Sequence, residues 1–193
     1  MNMPLNTNII VEFLILIAGP IFQIIGYLFL KEILPTKEEI LIIYHYGILL
    51  FNLLPIYPLD GGKLLNIIIS LKLPYKKTQK LVMLISYIIV IIIFIINRNN
   101  ININLIIVTI FLIYKVTKEY KNIEYTYNKF LLERYLNNYN FKSSIIIDNI
   151  NNLYRNKRHL IKKDNNYYLE KEILEKKYKN YTKSVDFNKN AML

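Results

Sequence analysis

The chain has 193 residues, of which 53% are hydrophobic, and its formal net charge is +11. It contains no cysteine and two histidines, His45 and His159. This composition excludes disulfide bonds, thiolate zinc sites and a cysteine nucleophile. Nearly all the long apolar runs precede Val116, and the rest of the chain is rich in Lys, Asn, Tyr and Glu. We therefore predict a membrane-embedded domain over residues 1–116 and a basic cytosolic tail over residues 117–193.

Four apolar segments are candidate transmembrane helices. In chain order they are Ile9–Leu30, Ile40–Leu71, Lys80–Asn97 and Ile101–Val116. A bilayer core of ~30 Å takes about 20 apolar residues. The second segment would form a helix of roughly 48 Å at about 1.5 Å per residue, so it must bend, unwind or re-enter. The sequence thus predicts an all-α membrane protein with about four transmembrane helices, the second broken, plus a small cytosolic α/β appendage.

The break falls in the stretch NLLPIYPLDGGK, which begins at Asn52. Its helix breakers are Pro55, Pro58, Gly61 and Gly62. Non-helical backbone at membrane depth is tolerated only where it is buried in protein or lines a wet cavity, so the motif indicates a cavity. Asp60 is an intramembrane carboxylate, which by default indicates function. The residue type leaves three roles open: a cation ligand, a proton relay, or the N-cap of a half-helix.

The distribution of lysines predicts the orientation. The segment Lys72–Lys80 holds four lysines and no acid, whereas Lys31–Glu39 holds two lysines and three glutamates. Placing the first of these and the tail in the cytosol satisfies the positive-inside rule with four crossings, and both termini are then cytosolic. From Lys115 onward there are 17 basic and 9 acidic residues. This basic excess could also attract anionic lipid or nucleic acid, but cytosolic location is the favoured interpretation and no nucleic-acid partner is expected.

The tail is predicted to fold in part. Asn128–Leu136 has helical spacing, and Ser143–Asn156 has the pattern of a strand or helix followed by polar residues. His159–Lys179 has the pattern of a strand, an Asp-Asn turn, a second strand and a helix. Together these segments predict a small α/β unit of about 50 residues, a size that buries little surface.

The motif in the second segment closely resembles the Asn-Pro-Asp-Gly signature of the site-2 proteases, which are intramembrane zinc metalloproteases. The residues at the family's spacing are Asn52, Pro55, Pro58, Leu59, Asp60, Gly61 and Gly62. The triplet Ala18-Gly19-Pro20 looks like the motif that precedes the signature in that family. FLLERY, Phe130–Tyr135, resembles the juxtamembrane stretch of the stage IV sporulation protein FB type, which continues into a nucleotide-binding CBS domain. The tail here is similar in order to part of such a domain but is short, so the resemblance does not carry over a nucleotide site.

This resemblance implies a role for each motif residue. Asp60 would be the third zinc ligand, and Asn52 would position the substrate or the active-site water. Pro55, Pro58, Gly61 and Gly62 would break the helix so that the carboxylate faces the cavity, and Ala18, Gly19 and Pro20 are a second motif that supports the resemblance. The resemblance also implies a zinc cofactor, membrane regulatory proteins as partners, and a membrane-associated substrate, by likeness a sporulation sigma-factor precursor. The expected location is the bacterial membrane that surrounds the forespore, with the protein crossing it several times.

The chain departs from the family in one large respect. The family's first two ligands and its general base come from a His-Glu-x-x-His helix that precedes the Ala-Gly-Pro motif, and this pattern is absent from the sequence. His45 shares a helix face with Asn52 and is interpreted as a packing residue, while His159 is interpreted as unrelated to metal. Glu12 is expected to snorkel to the interface. Zinc catalysis needs three protein ligands, so we expect this chain alone to be inactive.

Three functional hypotheses follow. The first is the C-terminal part of an intramembrane zinc metalloprotease that acts in regulated intramembrane proteolysis and has lost its front third. The second is a pseudoprotease that holds membrane substrates or partner proteins without cutting them. The third is a cation or proton transporter that uses Asp60, which is weaker because transporters usually pair broken helices from two repeats.

Overall fold

The computed structural model describes residues 5–179, except residues 7, 35, 37, 138, 142 and 165. The helices of this part are α1 (Ile9–Ile33), α2 (Glu38–Leu53), α3 (Asp60–Ser70), α4 (Tyr75–Ile96), α5 (Ile103–Leu136) and α6 (170–179). The strands are β1 (Ser144–Ile147), β2 (Arg158–Lys163) and β3 (Asn166–Leu169). The coarse fold prediction is confirmed: the chain is mostly helical and carries a small sheet near its C-terminus.

Helices α1 and α4 are the two described helices that are long and apolar enough to cross a membrane. The 25 residues of α1 include none that is buried, and the same is true of the 16 residues of α2. A helix that exposes apolar side chains all round is typical of a lipid or protein environment rather than of water. Two candidate spans are therefore found, and the larger number of crossings stays a prediction.

The predicted break in the second apolar segment is confirmed. Helix α2 ends at Leu53 and α3 begins at Asp60, with the two prolines of the motif between them. Other boundaries differ from those predicted. Helix α4 begins at Tyr75 rather than Lys80, so most of the expected lysine loop is the first turns of a helix.

Helix α5 runs without interruption across the predicted boundary between residues 116 and 117. Its 34 residues extend about 51 Å at about 1.5 Å per residue, which is longer than a bilayer core is thick. The second half remains helical because its apolar residues recur at helical spacing and become buried, namely Ile123, Tyr127, Phe130 and Leu131. The division into two domains stays a prediction, but no loop marks it.

The C-terminal unit is a three-stranded sheet in the order β1-β2-β3, with β1 parallel to β2 and β3 antiparallel to it. The turn between β2 and β3 contains Asp164, whose φ of 49° is the left-handed conformation that Asp and Asn tolerate best among residues with a side chain. The predicted order of strand, turn, strand and helix is therefore confirmed. The core of this unit joins α4, α5, the sheet and α6 through Tyr75, Tyr127, Phe130, Leu131, Ile147, Leu153, Ile161 and Leu174.

Candidate functional site

The segment between α2 and α3 is anchored on α4. Ile56 is fully buried and belongs to a small core with Val90 and Leu112. The backbone N–H of Tyr57 donates to the hydroxyl of Ser86 at 2.9 Å, and that hydroxyl donates in turn to the carbonyl of Val82 at 2.8 Å. A backbone donor that the break removes from its helix is thereby satisfied by a side chain of the neighbouring helix, as buried N–H groups require.

The two glycines of the motif permit α3 to start directly against this segment. A Cβ atom on Gly61 would lie 2.1 Å from the carbonyl oxygen of Leu53, and one on Gly62 would lie 2.5 Å from the carbonyl carbon of Ile56. Both distances fall well inside van der Waals contact, and the obstructing atoms are backbone. Only glycine fits at these two positions without moving the chain.

Asp60 is the first residue of α3, and the N-cap position is taken by Leu59. The N-cap interpretation of Asp60 is therefore wrong in position. Its Oδ1 accepts a hydrogen bond from Lys63 Nζ at 2.9 Å, and the Asp60 side chain is 30% exposed. A carboxylate in the first turn is also stabilised by the positive end of the helix dipole.

The structure brings the two sequence motifs together at this carboxylate. A Cβ atom on Gly19, in the middle of α1, would lie 3.6 Å from Asp60 Oδ2. The absence of a side chain at Gly19 thus leaves the second carboxylate oxygen beside the α1 backbone. Pro20 follows inside α1, where it removes one backbone donor from the helix.

Asn52 and His45 both lie on α2. Asn52 is half-buried in the last turn, and the described residues give it no side-chain hydrogen bond. The ring of His45 stacks on Tyr27 of α1 with centroids 4.6 Å apart, and its carbonyl accepts from Gln23 at 3.0 Å. The packing interpretation of His45 is confirmed, whereas the positioning role of Asn52 stays a prediction.

A complete metal centre is not formed by the described residues. They contain no group of three or more His, Asp or Glu side chains that could hold a metal ion. The charged partner of Asp60 is a cation, Lys63, rather than a second ligand. A zinc ion with three protein ligands therefore does not fit the described part of this chain.

A second polar cluster lies in the C-terminal unit, around Arg134 of the FLLERY stretch. The fully buried guanidinium donates to both carboxylate oxygens of Glu170, through Nε to Oε1 and through Nη2 to Oε2 at 2.9 Å. It also donates to three carbonyl oxygens, those of Tyr154 (3.2 Å), Arg155 (3.4 Å) and Lys157 (2.8 Å). This one side chain therefore fastens the end of α5 to the segment before β2 and to α6.

His159 completes the cluster and is wholly buried. Its Nε2 accepts from the N–H of Tyr154 at 2.9 Å, so the neutral ring carries its proton on Nδ1, 2.9 Å from Glu170 Oε2. Burial holds the pKa of His159 below its usual value, although Glu170 opposes this shift. Burial would raise the pKa of Glu170, but its hydrogen bonds to His159 and Arg134 prevail and lower it. The interpretation that His159 is unrelated to a metal site is consistent with this structural role.

Glu12 was expected only to extend toward the membrane interface, but it also forms an ion pair. Its Oε2 lies 2.5 Å from Arg155 Nη2, and the side chains are 27% and 6% exposed. The ion pair joins the first helix to the C-terminal unit. Sequence reasoning missed this pair and the Arg134 cluster, because the partners are far apart in the chain. The Asp60–Lys63 pair was also missed, although its spacing of three residues in a helix was a usable signal.

Comparison with known proteins places the motif in a family. Residues 38–93, which include α2, the break, α3 and most of α4, match the model of Peptidase family M50. The chain is 34% identical over 132 residues to "Stage IV sporulation protein FB" of Bacillus subtilis (strain 168), an alignment that covers 64% of this chain and 46% of that protein. The chain thus matches about half the length of this relative.

Proposed function

Because this chain is a relative of the site-2 proteases of the stage IV sporulation protein FB type, we propose that it forms part of an intramembrane zinc metalloprotease. Its contribution is the broken-helix segment that presents Asp60 as one metal ligand. The observation that supports this most directly is the meeting of the two motifs, with Asp60 Oδ2 beside Gly19 and α3 starting at the carboxylate. A ligand must be held in a fixed place before the metal arrives, and this packing holds it.

Residues 1–116 are proposed as the membrane-embedded core, with α1, the α2–α3 pair, α4 and the first half of α5 as four crossings. Residues 117–193 are proposed as cytosolic, and residues 180–193 lie outside the described part. Both termini then face the cytosol. Reporter fusions after Asn100 and after Leu193 should report opposite sides of the membrane, and matching sides would remove one crossing from this proposal.

The chain alone is proposed to cut no peptide bond. Support comes from the absence of a His-Glu-x-x-His pattern in the sequence and of a three-ligand group among the described residues. In the complete enzyme the substrate would be a membrane-associated protein, with a sporulation sigma-factor precursor as the substrate expected by likeness. The membrane around the forespore would be the location.

The test is reconstitution with a second polypeptide that carries the His-Glu-x-x-His helix. Zinc content and cleavage of a membrane-embedded substrate should then appear together. Asp60→Asn should abolish both, because it removes the anionic ligand while keeping the size of the side chain. Asp60→Glu should impair both severely, since an added methylene displaces the oxygen by more than the ~0.2 Å tolerance of a metal site.

Asp148→Asn, an exposed aspartate outside the motif, is the matched control. Full zinc content and full cleavage in Asp60→Asn would refute the ligand role.

A pseudoprotease is the second candidate, and the Asp60–Lys63 pair is the observation that favours it. The ammonium group already neutralises the carboxylate, as it would in a protein that retains the cavity but binds no metal. Such a protein would hold membrane proteins without cutting them. Substrate binding that persists in Asp60→Asn, without cleavage under any reconstitution, would favour this candidate.

A further inference from the structure

A cavity of about 170 Å³ lies where the helices meet the C-terminal unit. Its lining includes Glu12, Tyr57, Lys63, Asn66, Gln79 and Arg155, which come from α1, the break, α3, α4 and the C-terminal unit. Lys63 contributes to this lining and also binds Asp60 Oδ1 at 2.9 Å. The cavity therefore reaches the side chain that contacts the candidate ligand.

The ion pair between Glu12 and Arg155, at 2.5 Å, forms one wall of the cavity. The backbone that carries Arg155 is held firmly: the carbonyl of Leu153 accepts from Tyr75 N–H of α4 at 2.8 Å, and the Arg155 carbonyl accepts from Arg134 at 3.4 Å. The side chain of Arg155 is 6% exposed. A rigid part of the C-terminal unit thus reaches across to α1.

Helix α1, by contrast, has no buried residue and meets its neighbours through small contacts, such as Gly19 beside Asp60 and Tyr27 stacked on His45. Just before it, Asn6 donates to the carbonyl of Phe130 at 3.2 Å, and Leu5 N–H donates to Glu133 at 2.7 Å. These bonds fix the start of the helix to α5. The side of the helix that faces the cavity is attached to the C-terminal unit at Glu12.

We propose that the Glu12–Arg155 ion pair is a latch by which the C-terminal unit closes the cytosolic entrance to the Asp60 motif. While the pair is formed, Glu12 holds α1 against this wall and narrows the cavity. When the pair breaks, α1 tilts about its start, which Leu5 and Asn6 hold, and the cavity widens to admit water and an extended polypeptide segment. A charge pair whose carboxylate side chain is 27% exposed suits this role because it can be released without unfolding either partner. The latch concerns access to the proposed protease site, but its opening is measurable without any proteolysis.

The lack of cysteine in the chain permits a direct test. Asn66→Cys places one thiol in the cavity, and its labelling rate with a small, membrane-impermeant methanethiosulfonate reagent is measured on the full chain in nanodiscs. Adding Glu12→Gln or Arg155→Gln should raise this rate about tenfold, which corresponds to about 1.4 kcal/mol in the opening equilibrium. Exchanging the two charges, with Glu12→Arg and Arg155→Glu together, should return the rate toward that of the starting protein.

Two controls separate the latch from general loosening. Tyr125→Cys places a thiol on the exposed face of α5, and its labelling should not change when the pair is broken. Glu38→Gln breaks the exposed Lys31–Glu38 pair at the other end of α1 and should leave Asn66→Cys labelling unchanged. The latch is overturned if both Gln variants leave Asn66→Cys labelling unaltered, or if labelling of Tyr125→Cys rises equally. It is also overturned if the charge exchange labels as fast as the single variants. None of these outcomes depends on whether Asp60 binds zinc.

Discussion

The motif region and the C-terminal unit are held in place by different kinds of residue. Around Asp60 the geometry depends on backbone: two prolines, two glycines against carbonyl groups, and an N–H on Ser86. In the C-terminal unit it depends on side chains, with Arg134 and Glu170 buried together and His159 beside them. The first arrangement leaves its charged group half-exposed, whereas the second encloses its charges.

This difference indicates which changes each region tolerates. A region built on backbone contacts should fail when atoms are added and should tolerate changes of charge. A region built on a buried ion pair should fail when one charge is removed, because the other is left without a partner in a poorly solvated place. The predictions below test this contrast, beginning with the largest effect.

The largest effect is expected for Gly61→Ala. The added methyl group would lie 2.1 Å from the Leu53 carbonyl oxygen, so α2 and α3 must separate. We expect a destabilisation above about 4 kcal/mol, or failure to fold, which is the range of severe overpacking and backbone strain. Thermal unfolding of the detergent-solubilised protein measures it.

Gly47→Ala is the matched control, because a Cβ atom there would meet nothing within 4 Å. Gly47 lies within α2, where alanine is favoured over glycine by roughly 0.5–1 kcal/mol. This variant should be neutral or slightly stabilised. Equal effects of the two substitutions would show that the close backbone contact does not determine the fold of the motif.

Removing the buried guanidinium, as in Arg134→Met, should have the next largest effect. It leaves Glu170 without its bidentate partner and frees three carbonyl groups, at a cost of about 3–5 kcal/mol. Hydrogen exchange should accelerate in β2 and α6, while the segment around Gly61 keeps its protection. Arg158→Met, an exposed arginine on the same strand as His159, should change stability by less than ~0.5 kcal/mol.

The contrast also explains what could be predicted from the sequence. Proline and glycine change the conformational preferences of the backbone whatever their neighbours are, so the break between α2 and α3 could be predicted from the sequence alone. The turn at Asp164 was predicted from an Asp-Asn pair, since these residues tolerate the left-handed conformation found there. The relationship to site-2 proteases was also recognised from the motif at the break between α2 and α3, and the comparisons confirm it.

The side-chain contacts of the C-terminal unit could not be predicted. Single Arg, Glu and His residues form no pattern in the sequence, and they become neighbours only in the folded chain. The course of α5 was missed for a related reason. Its charged residues indicated a boundary near Val116, but burial of Tyr127 and Phe130 against Tyr75 continues the helix. The meeting of Gly19 with Asp60 likewise depends on tertiary packing and was not predicted.

A smaller effect is expected from acidification, and it should fall on the C-terminal unit. Because the folded pKa of His159 is held below its ordinary value of ~6.5, the unfolded state binds more protons as the pH falls through that value. The stability that His159 contributes is present above that pH and is lost below it. Glu170, whose pKa is also lowered, loses its contribution only at more acid pH.

We therefore expect hydrogen exchange in β2 to accelerate between pH 7.5 and 5.5, after correction for the intrinsic dependence of exchange on pH. His159→Gln keeps an acceptor for the Tyr154 N–H and should flatten this pH dependence. The motif region should show no matching change over the same range. A pH profile that is identical in His159→Gln would assign the effect to another group.

The smallest effect is expected for Lys63→Ala, although Lys63 contacts the candidate ligand. The two side chains of the Lys63–Asp60 pair are 45% and 30% exposed, and exposed pairs are worth about 0–1 kcal/mol. Spacing of three residues in a helix supports a value of about 0.2–0.5 kcal/mol. The free energy of unfolding should fall by less than ~0.5 kcal/mol, and the difference should shrink in 1 M salt, where the screening length is ~3 Å. Lys179→Ala, which removes the exposed pair with Glu175, should behave alike. Urea unfolding at low and high salt measures both. A loss above ~1.5 kcal/mol for Lys63→Ala that persists in salt would mean that the motif, like the C-terminal unit, depends on a charge pair, and the contrast between the two regions would fail.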